Sequence, residues 1–105
     1  MKEIIYNKLV RDRILEVIEK TGKKSEFHIA NEKEYKDLLI KKLSEEVEEF
    51  IENPCAEEIA DILEVVDSLI NILGYSKEEV LKIKEEKKDS RGGFEKAIIL
   101  EKVIG

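Results

Sequence analysis

Residues 38–73 read LLIKKLSEEVEEFIENPCAEEIADILEVVDSLINIL. A helical residue advances by about 100°. At that period Leu39, Leu43, Val47 and Phe50 form one apolar stripe, with Ile40 and Ile51 at one edge. Ile59, Ile62, Leu63, Val66, Leu69, Ile70 and Leu73 form a second, wider stripe. Two helices with one apolar side each, joined by the short break at Asn53-Pro54, fold back on each other to bury those sides. The reading is all-α, a small four-helix-type bundle.

The same stretch carries two pairs of acids. Glu46 and Glu49 stand three apart in Glu45-Glu46-Val47-Glu48-Glu49, and Glu58 and Asp61 stand three apart in Glu58-Ile59-Ala60-Asp61. Residues three apart share one side of a helix. Glu46 projects between the directions of Leu39 and Leu38, at the margin of its stripe, and Glu49 lies just beyond it. Glu58 points between Leu69 and Val65, and Asp61 lies beside Ile72. Glu57, Glu64, Asp67 and Asn71 take the water-facing side. Acids at a buried margin need a partner, and four converging carboxylates repel unless a cation sits among them. Mg²⁺, with Mn²⁺ as the alternative, suits such a set of hard oxygen donors. The plain alternative is a solvated acidic face, which a chain with 25 acidic residues in 105 readily supplies. The marginal positions of Glu46 and Glu58 favour the metal.

Outward from this hairpin the chain divides simply. Residues 1–8 read as irregular or extended. Leu9 to Lys20 reads as a first helix, stopped by Thr21-Gly22-Lys23-Lys24 with Gly22 suited to the position after the cap. Residues 25–30 read as a short extended piece, with a strand as one form of it. Asn31, with Glu34 three residues on, starts the second helix, which runs to about Glu52. Pro54 opens the third near its first turn, and that helix ends at Gly74. Ser76, with Glu79 three residues later, caps a fourth that is broken at Arg91-Gly92-Gly93-Phe94. The tail from Ala97 to Ile104 is apolar and β-branched, so a short strand or a partner-docking segment is expected there.

Composition narrows the functional classes. One domain fits 105 residues. Charged residues are 42% of the chain, aromatics 6%, and there is no Trp. A net charge of −6 argues against a nucleic-acid surface, although metal at an acidic site would still admit a nucleotide. Cys55 is the lone cysteine, so a cytoplasmic setting is expected. Cys55 reads as a small residue near a helix start rather than a nucleophile, and His28 as an ordinary residue of an extended segment. No run of ~20 apolar residues or signal-peptide pattern is present, so no membrane partner is expected. Lys87, Lys88 and Arg91 precede two glycines and are candidates for holding phosphate, Arg bidentately; a basic helix end that complements the macrodipole is the competing explanation.

The opening Tyr6-Asn7-Lys8-Leu9-Val10-Arg11-Asp12-Arg13-Ile14 resembles the YNKLVRDKIP opening of small phosphoribosyl-ATP-pyrophosphohydrolase-like proteins. These belong to the MazG-like, all-α nucleoside triphosphate pyrophosphatase superfamily. Arg13 and Leu15 replace the usual Lys and Pro. The resemblance extends through Lys42-Leu43 to Glu49, Glu58 to Asp61, and Arg91 to Phe94. It implies that Glu46, Glu49, Glu58 and Asp61 are the metal ligands and catalytic group, with Glu45 supporting. It also implies that Arg91, and less directly Lys87 or Lys88, contacts phosphate. The implied activity is Mg²⁺-dependent conversion of a nucleoside triphosphate to monophosphate and pyrophosphate, as in house-cleaning of non-standard nucleotides.

Two alternatives stay open: a phosphoribosyl-ATP pyrophosphohydrolase of histidine biosynthesis, and a non-catalytic helical interaction module. A di-iron bundle fits poorly, because its Glu-x-x-His motif is missing. The small core, the apolar tail and the resemblance together lead to the expectation of a homodimer or homotetramer.

Overall fold

Asn31 sets the start of the longest helix. Its side-chain oxygen accepts the backbone N–H of Glu34 at 2.9 Å, while its own backbone stays extended. The computed structural model describes residues 2–105. Its four helices are α1 (Ile14–Lys20), α2 (Glu32–Glu52), α3 (Ala56–Ile72) and α4 (Lys77–Arg91). The protein is all-α, and no strand forms among the described residues. The segments 25–30 and 97–104 therefore carry no strand, since neither finds an edge to pair with.

α2 stops where proline requires it. The residue before a proline is pushed out of the helical region, and Asn53 has φ −144° and ψ 82°. Pro54 lies outside α3 rather than in its first turn. Cys55, extended at φ −151°, is the N-cap, and it contributes no side-chain capping bond. Three non-helical residues therefore reverse the chain. At the other end of α3, Gly74 sits at φ +85°, donating to the Asn71 carbonyl at 3.0 Å, while Tyr75 donates to Ile70 at 3.0 Å. This paired closure satisfies two orphan carbonyls and needs the left-handed conformation that glycine tolerates. Ser76 then caps α4 by accepting the Glu79 N–H at 3.1 Å.

The first helix is shorter than the sequence pattern suggests. Leu9 to Arg13 lie outside it, and α1 begins only at Ile14. Asn7, Lys8 and Leu9 instead line a shallow depression with Leu38, Lys41, Lys42 and Glu45 of α2. Asn7 makes the necessary bend at φ +46°, a conformation Asn adopts more readily than most residues. Contact with α2 competes with helix extension, and a helix of seven residues has little stability of its own.

The body of the fold is the α2–α3 hairpin; α4 packs lightly on α3, and α1 packs against no other helix. Leu39 and Val65 are the buried apolar residues, at 4% and 8% exposure. The seam thus centres on Leu39 and Glu46 of α2 and on Val65, with Glu58 and Leu69, of α3. That corrects the expected centre of the α3 stripe: Ile59, Leu63 and Leu73 are exposed, Leu63 by 56%. α3 is apolar around half its circumference, and α2 covers only one side of it. Val47, Ile40 and Ile51 form a matching exposed row on α2. Both rows lie about 100° beyond the seam in the direction of increasing residue number. Because the two helices run antiparallel, both rows fall on the same side of the hairpin. The radius of gyration, 18.9 Å, exceeds the ~13 Å of a compact chain this size.

Candidate metal centre

The hairpin end holds the acids. Glu46 and Glu49 stand in the last two turns of α2, and Glu58 and Asp61 in the first two of α3. The antiparallel turn brings the pairs face to face. One carboxylate oxygen from each of the four lies within 4.8 Å of the other three. Oxygens bound to one cation at ~2.1 Å are at most ~4.2 Å apart, so a small inward movement would close the set.

Burial separates this group from a solvated acidic face. Glu46 is 7% exposed, and Glu58 and Asp61 are half-buried. The Oε2 atoms of Glu46 and Glu58 are both buried with no hydrogen-bond partner. A buried oxygen left unpaired is costly. Burial first, then the closeness and charge of the Glu49 carboxylate, push the Glu46 carboxyl above its ordinary range. Asp61 pushes the same way and Lys42 opposes. Four converging carboxylates, two of which carry a buried oxygen without a partner, fit a hard divalent cation and could hold one.

The fold brings these four together, but Glu46 and Glu58 lie in the seam itself rather than at its margin. Glu46 lies beside Leu39 in the seam, Glu49 is the outermost, and Glu57, Glu64, Asp67 and Asn71 face water. The basic residues fare differently. Lys87, Lys88 and Arg91 are exposed on the last turns of α4, and among the described residues no ion pair or side-chain hydrogen bond joins them to the acids. Cys55 accepts only a long contact from the Asn53 amide at 3.8 Å, and His28 pairs with Glu34 at 3.0 Å on an exposed surface.

Two cations that spacing and charge had not singled out border the cluster instead. Lys42 Nζ lies 3.5 Å from Glu46 Oε1 and 4.0 Å from Glu45. It precedes Glu46 by four residues, so helical spacing alone could have placed it on this side. Arg11 donates from Nη2 to Asp61 Oδ1 at 2.6 Å. Fifty positions separate the two, and nothing in local pattern foretells that contact.

No family model, curated protein or solved structure matches the chain. The functional reading therefore rests on the residues themselves.

Proposed function

We propose that the protein is a Mg²⁺-dependent pyrophosphohydrolase of nucleoside triphosphates, of the MazG-like kind. The observation that carries this reading is the convergence of Glu46, Glu49, Glu58 and Asp61 with two buried, unpartnered oxygens. Those four residues would hold the cation. When bound, a divalent cation supplies charge neutralisation for phosphates and acidifies water. The chain's own part is to hold the carboxylates in register on two rigid helices, with Lys42 steadying Glu46. A carboxylate of the cluster takes the proton of the attacking water. No protein nucleophile is required.

Orthodox triphosphates, damaged triphosphates and phosphoribosyl-ATP belong in one hydrolysis panel. The expected result is Mg²⁺-dependent pyrophosphate release from at least one of them, lost with a chelator. Absence of release from every member would refute the activity.

The reading includes self-association. Ile40, Val47, Ile51, Ile59, Leu63 and Leu73 form one exposed apolar side of the hairpin. The outermost cluster acids, Glu49 and Asp61, and the residues beneath Asn7–Leu9 lie on the other side, so a second copy can cover the apolar face and leave the acids accessible. Apolar rows on one side of the hairpin suit a two-fold pairing with the same side of a second copy. Light scattering at micromolar concentration should give at least twice the 12.2 kDa chain mass. Leu63→Glu is expected to lower that mass toward the monomer. A monomeric wild type would overturn the assembly.

The same apolar face also favours a second reading, a non-catalytic interaction module. That reading predicts association without any response to divalent cations.

A further inference from the structure

We propose that Arg11 is the residue that receives the phosphate chain at this site, held ready by Asp61 until a cation takes that carboxylate. The inference rests on the metal reading above and assigns a role to the N-terminal segment. Three observations converge. First, the Arg11–Asp61 contact at 2.6 Å is, among the described residues, the one side-chain hydrogen bond that spans more than six positions. Second, Asn7, Lys8 and Leu9 lie against Leu38, Lys41, Lys42 and Glu45, and Lys42 also pairs with Glu46, so the segment leading to Arg11 is seated on the helix that carries half of the acids. Third, the Arg11 side chain is 58% exposed. Asp61 engages one of its five N–H donors, leaving the rest of the fork facing solvent, where planar guanidinium suits phosphate oxygens.

The pairing also implies competition. Asp61 cannot give the same oxygen fully to a guanidinium and to a cation. Loss of Arg11 should therefore tighten metal binding while weakening phosphate binding. A merely structural ion pair does not predict those opposite signs.

The test uses the full chain with two probes. Mn²⁺ affinity is read by electron paramagnetic resonance, and inorganic pyrophosphate affinity by calorimetry on the Mn²⁺-loaded protein. Arg11→Ala is expected to bind Mn²⁺ up to about fivefold more tightly, the most that a half-exposed pair is worth. It should bind pyrophosphate at least about tenfold more weakly, the scale of one charge-assisted hydrogen bond. Arg11→Lys should recover part of the pyrophosphate affinity through its charge. Unchanged pyrophosphate affinity in a folded Arg11→Ala, with normal Mn²⁺ binding, would overturn this role alone. If the wild type binds no Mn²⁺, the metal reading fails and takes this role with it.

Discussion

Glu46→Gln is expected to make the metal-free protein as stable as the wild type or more so, and to erase its stabilisation by Mg²⁺. The two effects have one cause. Glu46 is buried among other acids, and its carboxyl resists ionisation. A group whose folded pKa is raised favours the folded state fully below its unfolded value, 4.5, and loses that contribution as pH rises through the folded value. As pH rises above 4.5, Glu46 therefore weakens the metal-free fold, and a neutral isostere relieves it. Metal-free wild type should accordingly melt lower as pH rises from about 4.5 through the raised value, and Glu46→Gln should flatten that dependence.

Cation binding reverses the sign for the wild type. A ligand at 100 times its Kd adds ~2.7 kcal/mol, and each kcal/mol moves the melting point of a domain this size by about 4–8 °C. An increase of ~10 °C or more is thus expected with saturating Mg²⁺. Glu64→Gln, on the water-facing side of α3, should keep the whole response. Differential scanning calorimetry with and without Mg²⁺ measures each quantity. A wild type whose melting point ignores millimolar Mg²⁺, with no binding heat, would leave the four acids as an unmetallated face.

The legible parts of the chain are those governed by neighbours in sequence. Caps at Asn31 and Ser76, the stop at Gly74 and the acid pairs at three-residue spacing all depend on contacts within one turn, which residue order specifies. The inward tilt of Glu46 was readable because one residue's direction follows from its neighbours' periodicity. Two things were not readable. The apolar arc of α3 is wider than the surface one partner helix can cover, and periodicity cannot say which half faces α2; the exposed Leu63 and buried Val65 are the result. The start of α1 depended on Asn7–Leu9 meeting α2, and the Arg11–Asp61 pair joins residues 50 positions apart. Composition places cations anywhere. Only the fold brought Arg11 to the acids, whereas Arg91, the expected phosphate residue, sits at the end of a helix that touches α3 lightly.

Asp61→Asn should cost nearly all turnover, about a hundredfold or more, the scale seen when one preorganised electrostatic group is removed from a site. The substitution keeps side-chain volume and a hydrogen-bond acceptor for Arg11, so the fold and the Arg11 contact remain; only the charge disappears. Arg91→Ala, by contrast, is expected to leave Mg²⁺ binding intact, since the structure gives it no contact with the acids. The reaction should be attack of water on the α-phosphorus. The new bond is water oxygen to α-phosphorus, and the broken bond joins that phosphorus to the α–β bridging oxygen. The bridging oxygen leaves with the electron pair as part of pyrophosphate, and the proton of the water passes to a carboxylate. In the proposed roles, Arg11 would hold the departing phosphates and the four acids the reacting one. Carried out in ¹⁸O water, the reaction should put label in the monophosphate, with pyrophosphate unlabelled and no diphosphate formed, as read by anion-exchange chromatography and mass spectrometry. Label in orthophosphate would place the attack at the γ-phosphorus, and full turnover by Asp61→Asn would remove that carboxylate from the chemistry.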